Sequence, residues 1–303
     1  MIVAENLSKS FGSKHAVSDV SFTVQPGLVT GFLGPNGAGK STTMRMIVGL
    51  DKPTQGGVTV NGRDYSGLRS PLTEVGVLLD AKAVHTGRSA TNHLRAMAAT
   101  HGIPRSRVDE VIDITGLASV AGKRAGGFSL GMGQRLGIAA ALLGDPHTLI
   151  LDEPVNGLDP EGVLWVRRFV RHAASEGKTV LLSSHLMSEM ALTADHIIVL
   201  GRGRVLADLP VDEIVQRWTL STVRVRSPHA LALSESLARD GVTITNLAPD
   251  LLEVSGVAAP VIGDLAAARG FALHELTPAS GTLEDAYLRL TGDDVEYKTK
   301  DIA

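Results

Sequence analysis

A glycine-rich loop close to the start of the chain restricts the possible folds more than any other feature of the sequence. The apolar run from Leu28 to Leu33 precedes this loop, and a helical pattern from Lys40 to Gly49 follows it. The loop and the start of the helix read Gly34, Pro35, Asn36, Gly37, Ala38, Gly39, Lys40, Ser41 and Thr42. A buried strand that passes through glycines into a helix N-terminus presents backbone N–H groups to an anion. The pattern predicts an α/β fold in which this loop and Lys40 bind phosphate and the Ser41 hydroxyl binds Mg²⁺.

Two carboxylates end a second apolar run. Residues Thr148 to Leu151 are followed directly by Asp152 and Glu153. A short continuous apolar run is typical of a strand that is buried on both faces of a parallel sheet. Asp152, at the end of this strand, is the candidate ligand of Mg²⁺, directly or through water. Glu153 is the candidate general base that polarises the attacking water, and the alternative is that it only caps the turn before Pro154.

Two further segments complete a set of four. The run Phe128-Ser129-Leu130-Gly131-Met132-Gly133-Gln134-Arg135 lies between the first two motifs, and Ser183-Ser184-His185 follows the second. In this order the four segments resemble those of the ATP-binding subunits of ABC transporters, over roughly residues 1 to 215. The resemblance implies an ATPase with ATP and Mg²⁺ as cofactors. The phosphate-binding loop occurs once, so we expect one ATPase unit rather than a fused pair.

The resemblance also implies a site shared between two subunits. Ser129 and Gly131 take the positions of the serine and the second glycine of the ABC signature, which in this family completes the ATP site of the partner subunit. The implied assembly is a head-to-tail homodimer with two ATP molecules between its subunits. The usual Leu-Ser-Gly-Gly-Gln reads Phe-Ser-Leu-Gly-Met at 128–132. His185 takes the position of the switch histidine, whose neutral imidazole can hydrogen-bond the γ-phosphate.

Three more positions follow from the resemblance. Phe11 matches the aromatic residue that stacks on adenine, and the alternative is a core phenylalanine. Asp80 stands where the family has the glutamine of the Q-loop, so an oxygen ligand is kept but carries a charge. We expect Asp80 near the metal and near the membrane partner, and the alternative is a surface carboxylate. Asp159 matches the D-loop acid at the dimer seam, and it also precedes Pro160 as a helix N-cap.

Composition limits the classes of partner. The chain has 303 residues, of which 44% are apolar and 20% charged, and its formal net charge is −3. A protein that coats duplex DNA needs an excess of basic residues, so we expect no nucleic-acid partner, and we interpret Arg224 and Arg226 as a solvated strand face. The absence of cysteine excludes disulfides and thiolate metal sites and is consistent with a reducing cytoplasm.

Hydropathy predicts that any membrane path belongs to another chain. No run of eighteen apolar residues occurs in the sequence, which is about the length that a membrane-spanning helix needs. The first residues do not have the basic and apolar segments of a secretory signal, so none is expected. A transport function would therefore require a separate membrane protein.

The pattern of elements predicts three parts. Residues 1–218 are expected to form the ATPase domain, with short strands over 1–30, an Asn61-Gly62 hairpin and an inserted helical subdomain at about 81–145. Residues 219–291 follow the order β-α-β-β-α-β of a small ferredoxin-like α+β domain. Its last strand is expected at Phe271 to Leu276, and a helix with a Thr282 and Asp285 capping box follows. Residues 292–303 are expected to be a flexible tail.

Within the family the chain resembles the drug-exporter branch, of the daunorubicin-resistance type. Three features carry it: the acidic Q-loop residue, the Ser-Leu-Gly-Met signature and a C-terminal segment ending in Thr-Leu-Glu-Asp-Ala-Tyr-Leu-Arg-Leu-Thr-Gly. The branch implies a homodimer at the cytoplasmic face of the cell membrane, bound to a separate multi-spanning ABC-2-type permease. The cargo could instead be a lipid, glycan, peptide or ion. Two other classes remain open: a soluble ABC ATPase that acts on ribosomes or DNA, and a nucleotide-binding regulator without turnover.

Overall fold

The computed structural model describes residues 1–219, 222–279 and 281–291. It divides into two compact units, Met1–Val211 and Asp212–Leu290. The tail expected at 292–303 lies outside the described residues. In the part of the chain that is described, no helix is both long enough and apolar enough to cross a membrane.

The first unit contains two sheets and seven α-helices among its described residues. Its strands are β1 (Ile2–Phe11), β2 (Lys14–Val24), β3 (Val29–Leu33), β4 (Gln55–Val60), β5 (Val75–Leu78), β6 (Thr148–Leu151), β7 (Thr179–Ser183), β8 (His196–Gly201) and β9 (Arg204–Pro210). Its helices are α1 (Lys40–Ile47), α2 (Pro71–Glu74), α3 (Ala90–Thr100), α4 (Arg105–Ile114), α5 (Leu130–Leu142), α6 (Pro160–Ser175) and α7 (Met187–Thr193).

The larger sheet confirms the predicted α/β fold. Its strand order is β5-β6-β7-β3-β8-β9, with β9 antiparallel to β8 and the other neighbours parallel. Every residue of β3, β6 and β7 is buried, which explains why these strands are apolar on both faces. The segments that follow these three adjacent strands therefore leave the same edge of the sheet.

The smaller sheet corrects two expectations. It has the order β2-β1-β4 and is antiparallel, and β1 and β2 are long strands rather than the short ones expected over residues 1–30. Asn61 and Gly62 form a turn with φ of 51° and 76°, as predicted. The hairpin prediction is wrong, however, because only Arg63 bridges back to Val60. The partner of β4 is β1, since pairing with a ten-residue strand satisfies more backbone groups.

The predicted helix ends are confirmed. Gly49 has φ of 67° just after α1, the left-handed conformation that glycine adopts at helix C-termini. The Asp159 side chain accepts a hydrogen bond from the Gly162 N–H at 2.9 Å, and Pro160 opens α6. The segment expected to be a helical subdomain, at about 81–145, contains α3, α4 and α5.

The second unit has a four-stranded antiparallel sheet and the predicted β-α-β-β-α-β order. Its elements are α8 (Val211–Trp218), β10 (Thr222–Arg226), α9 (Ala230–Leu237), β11 (Thr243–Ala248), β12 (Leu251–Ser255), α10 (Ala259–Arg269), β13 (Glu275–Ala279) and α11 (Leu283–Thr291). The strand order is β11-β12-β10-β13, as in ferredoxin-like folds. Thr282 and Asp285 form the predicted reciprocal capping box, with N–H donors 2.9 and 3.1 Å from the side-chain oxygens.

The last strand of this sheet corrects the sequence analysis. It begins at Glu275, paired with Arg226, whereas Phe271 to Leu276 was expected. Phe271 and Leu273 instead pack against the hydrophobic core of the second unit, so their apolar character reflects burial and not strand pairing. Pro278 lies within β13, which is tolerated because β13 is an edge strand.

Arg224 and Arg226, which were interpreted as a solvated strand face, both lie in β10. Arg224 is exposed, in register with Glu253 on one side and Thr277 on the other. Arg226 forms an ion pair with Asp250 at 2.9 Å. Each arginine is therefore accompanied by an acidic residue, Glu253 in register or Asp250 in an ion pair.

Gly76→Ala is expected to destabilise the ATPase unit. A Cβ atom at Gly76, in β5, would lie 2.1 Å from the carbonyl oxygen of Ala141 in α5. Because this oxygen belongs to the backbone, strand and helix must separate, which lowers the free energy of unfolding by about 1–3 kcal/mol or more. Urea unfolding followed by circular dichroism measures the change. Gly57→Ala is the matched control, since its new Cβ meets nothing within 4 Å; an equal loss in both variants would contradict the argument.

Candidate nucleotide-hydrolysis site

Three chemical groups that the sequence analysis singled out meet at one edge of the larger sheet. The glycine-rich loop follows β3, Asp152 and Glu153 follow β6, and His185 follows β7. These strands are neighbours in the order β6-β7-β3. Since the carboxyl ends of parallel strands lie at the same edge, the fold brings together segments that are far apart in sequence.

The glycine-rich loop is closed around the Lys40 side chain. Lys40 Nζ donates to the carbonyl oxygens of Gly34 and Pro35 at 2.5 and 3.2 Å. Gly39 has φ of 101°, and a Cβ there would lie 2.6 Å from the carbonyl oxygen of Ala16, so a larger residue is excluded by both backbone and space. Burial lowers the pKa of the Lys40 amine, while the nearby Glu153 and Asp152 carboxylates oppose that shift.

Asp152 and Ser41 form a pair of oxygens suited to Mg²⁺. Ser41 Oγ donates to Asp152 Oδ2 at 2.9 Å. Two adjacent ligands of an octahedral Mg²⁺, each at about 2.1 Å, lie about 3 Å apart. The separation of these two oxygens therefore fits the ion. The other carboxylate oxygen, Asp152 Oδ1, accepts a hydrogen bond from the buried Ser183 hydroxyl, which fixes the orientation of the carboxylate.

Glu153 has an unusual backbone conformation and a defined side-chain partner. Its φ is 50°, in the left-handed region that non-glycine residues rarely adopt. Its N–H donates to Ser183 Oγ at 2.9 Å. Its carboxylate oxygen Oε2 lies 2.7 Å from Nδ1 of His185 and 3.3 Å from the His185 backbone nitrogen. The carboxylate is therefore directed to the segment after β7 and not to the turn before Pro154.

The signature residues lie at the start of α5. Ser129 is the N-cap, and its Oγ accepts from the Met132 N–H at 3.2 Å. A Cβ at Gly131 would lie 2.8 Å from the carbonyl oxygen of Gly157, in the loop that precedes α6. Gly131 thus allows the signature helix and the segment ending at Asp159 to pack together within one chain. Ser129 itself is exposed.

The remaining candidate features are the Phe11 side chain and a cavity at the glycine-rich loop. Phe11 is 52% exposed, so the alternative of a core phenylalanine is wrong. The amine nitrogen of Lys9 lies 5.0 Å from the centre of the Phe11 ring. A cavity of about 160 Å³ is lined by Lys14, His15, Pro35, Asn36, Gly37, Ala38 and Arg202. Its basic residues and loop backbone are suited to an anionic ligand.

Asp80 is not joined by a hydrogen bond to the residues proposed to hold the metal. It is exposed, and its Oδ1 accepts the Lys82 N–H at 2.8 Å, which makes it the cap of its own loop. The side-chain hydrogen bonds of Asp152 go to Ser41 and Ser183 instead.

Sequence reasoning left two residues of this site without a role. Ser183 joins the Asp152 carboxylate to the Glu153 N–H, and Gln134 Nε2 donates to the Glu153 carbonyl oxygen at 2.5 Å. Both stand within motifs that the sequence analysis singled out. The available signals were the Ser183 hydroxyl at the end of an apolar strand and the Gln134 amide in a helix of mainly apolar residues. Polar groups that are buried in such segments need hydrogen-bond partners.

Sequence comparisons connect both units to known families. In the first unit, residues 17–156 match the family model "ABC transporter", and residues 124–191 also match "AAA domain, putative AbiEii toxin, Type IV TA system". In the second unit, residues 221–284 match a domain of unknown function, DUF8746. The chain is 40% identical over 220 residues to the bacitracin transport ATP-binding protein BcrA of Bacillus licheniformis, covering 72% of each. It is 35% identical over 212 residues to the lantibiotic transport ATP-binding protein SrtF of Streptococcus pyogenes, covering 70% of this chain and 92% of the relative.

One relative is similar over nearly the whole chain. It is the uncharacterized ABC transporter ATP-binding protein YhcH of Bacillus subtilis (strain 168), 33% identical over 303 residues and covering 96% of each. Among solved structures, an ATP-binding subunit of an ABC transporter has a TM-score of 0.67 at 27% identity, covering 72% of this chain and 92% of that one. A dimeric ATP-binding cassette bound to ADP and Pi has a TM-score of 0.64 at 24% identity, covering 69% and 98%, which establishes likeness of fold.

Proposed function

The chain belongs to the ATP-binding proteins of the ABC transporter family, and from this membership we propose that it is the ATPase subunit of a bacterial exporter. In this proposal it acts as a head-to-tail homodimer, bound at the cytoplasmic face of the membrane to a separate multi-spanning ABC-2-type permease. The observation that supports it most is the meeting of Lys40, Asp152, Glu153 and His185 at one sheet edge. A nucleotide-binding regulator without turnover would not need all four.

The proposed chemistry is attack of a water molecule on the γ-phosphate of ATP. Lys40 and the N–H groups of the glycine-rich loop would hold the β- and γ-phosphates. Glu153 would accept the proton of the attacking water, while His185, 2.7 Å from it, would hydrogen-bond the γ-phosphate and orient the carboxylate. The O–P bond to ADP breaks as the water oxygen bonds to phosphorus.

Ser41 and Asp152 are the residues proposed to hold Mg²⁺. The ion, when bound, supplies positive charge that stabilises the charge developing on the phosphate oxygens. Ser183 keeps the Asp152 carboxylate turned towards Ser41. Asp80, whose carboxylate is exposed, is proposed to approach the metal through a water molecule once nucleotide is present.

The homodimer proposal rests on the exposed start of α5. Ser129 is exposed, and the hydrogen bond that its side chain accepts is the cap bond from the Met132 N–H. A helix N-terminus carries a partial positive charge and unpaired N–H groups, which suit a phosphate. Asp159, at the start of α6, is proposed to lie at the same seam.

The cargo proposal is an antibiotic or another hydrophobic compound. It is supported by the relatives named for bacitracin and lantibiotic transport. A strain lacking this protein should become more sensitive to such a compound, and wild-type protein but not Glu153→Gln should restore resistance. Unchanged sensitivity across a panel of peptide and other hydrophobic antibiotics would direct attention to lipid, glycan or ion cargo.

The membrane partner is tested by affinity purification of the tagged protein from its own cells in mild detergent. Enrichment of a multi-spanning membrane protein, identified by mass spectrometry, is the expected result. The same tag on an unrelated ATPase is the control for non-specific recovery. Recovery with ribosomes or DNA alone would contradict the exporter proposal and favour a soluble ABC ATPase.

A further inference from the structure

We propose that Gln134 is a positioning residue for Glu153. Its buried amide holds the carbonyl group of Glu153 and so keeps that residue in the backbone conformation from which the carboxylate reaches His185. The inference rests on the proposed role of Glu153 as general base, and it assigns to Gln134 a function in ATP hydrolysis rather than in ATP binding.

The first observation is a buried amide with a single destination. Gln134 is 4% exposed and lies in α5 among residues that are fully buried and apolar, such as Leu136 and Ile138. Its Nε2 is 2.5 Å from the carbonyl oxygen of Glu153. A buried amide stabilises a protein only when its polar atoms are paired, so this bond explains why a glutamine can stand in this helix.

The second observation is the strain at Glu153. Residues that precede proline favour extended backbone, and Pro154 follows, yet Glu153 has φ of 50°. A non-glycine residue persists in this region only when its surroundings hold it there. Bonds act on both sides: the N–H donates to Ser183 Oγ, and the carbonyl oxygen accepts from Gln134 and from the Asn156 N–H at 3.1 Å.

These bonds differ in what they attach Glu153 to. The Asn156 bond closes a turn within the same loop, and it would move together with that loop. The Ser183 bond connects the residue to β7. The Gln134 bond connects it to α5, the helix whose N-cap is Ser129. Loss of the Gln134 donor would therefore free the Glu153–Pro154 peptide to rotate. That rotation would move the Glu153 carboxylate away from His185.

Gln134→Met tests the proposal, because it keeps the length of the side chain and removes the donor. We expect kcat for ATP hydrolysis to fall roughly 10- to 100-fold, the scale of a misplaced catalytic group, with the KM for ATP unchanged. Leu136→Met is the matched control, a buried change in the same helix without a bond to the loop, and it should keep wild-type kcat. Wild-type kcat in Gln134→Met would overturn the proposal.

A double-mutant cycle separates positioning from general damage to the fold. In the Glu153→Gln background, adding Gln134→Met should cause no further loss of turnover, because both changes act through the same carboxylate. Losses that multiply would mean that Gln134 acts elsewhere, and would overturn the proposal. If circular dichroism shows that Gln134→Met does not fold, Gln134→Leu, which is uncharged and also lacks an amide donor, takes its place in the cycle.

The same experiment distinguishes the two levels of the argument. A Glu153→Gln protein that hydrolyses ATP at the wild-type rate would refute the role of Glu153 and, with it, this inference. An inactive Glu153→Gln protein beside a fully active Gln134→Met protein would refute only the positioning role.

Discussion

Glu153→Gln is expected to bind ATP as the wild type does and to lose turnover by roughly 10²- to 10⁴-fold, the usual contribution of a general base. The substitution keeps the shape of the side chain, so the bonds that hold the Glu153 backbone to Ser183 and Gln134 remain. An amide can still contact His185, but it cannot accept the proton of the attacking water. The effect should therefore fall on the chemical step.

Steady-state phosphate release measures this loss, and equilibrium binding of a fluorescent ATP analogue measures affinity. Glu176→Gln, the same chemical change at the far end of α6, is the matched control and should have wild-type turnover. Near-normal hydrolysis by purified Glu153→Gln protein would rule out the assignment of Glu153 as base. Loss of ATP binding in the same variant would show that its charge holds the loop together instead.

Lys40→Met is expected to weaken ATP binding by about 10- to 150-fold, because hydrogen bonds to a charged group contribute about 1.5–3 kcal/mol each. The Lys40 amine donates to the carbonyl oxygens of Gly34 and Pro35. Burial lowers its pKa, while the Glu153 and Asp152 carboxylates oppose that shift. A phosphate would add strong acceptors for this partly buried charged donor, and methionine, of similar length, donates no hydrogen bond.

The same binding assay measures this loss, with thermal unfolding as the check on folding. Because the loss of two hydrogen bonds is offset by removal of a desolvated charge, Lys40→Met should have a melting temperature close to that of the wild type. Lys52→Met, at an exposed lysine, is the matched control and should bind ATP normally. Wild-type affinity in Lys40→Met, or equal weakening in the control, would contradict the proposed phosphate contact.

Local features of the fold were predictable because they depend on residues close together in the chain. The Gly49 helix end, the Asp159 cap, and the Thr282 and Asp285 capping box are each closed by backbone groups within three or four positions. The strand order of the C-terminal unit was also predictable from the alternation of its elements. Its last strand was misplaced because apolar character at Phe271 signals burial as readily as strand pairing.

Partners distant in sequence could not be predicted in the same way. The Asn61-Gly62 turn was recognised, but the strand before it pairs with β1, at the start of the chain. Asp80 bonds to the Lys82 N–H, and its expected place near the metal stays a prediction. The Asn61-Gly62 signal identified the turn but not the partner of the strand before it.

By itself the sequence determined that a phosphate-binding loop and a pair of carboxylates each follow a buried strand, since apolar runs, glycines and terminal polar groups are local patterns. Only the tertiary structure decided that β7 lies between β6 and β3, and that Ser183 and Gln134 therefore hold Asp152 and Glu153. The physical reason is that a hydrogen bond depends on distances of about 3 Å between atoms. Across segments far apart in the chain, such distances are set by strand order and helix packing, which no local pattern encodes.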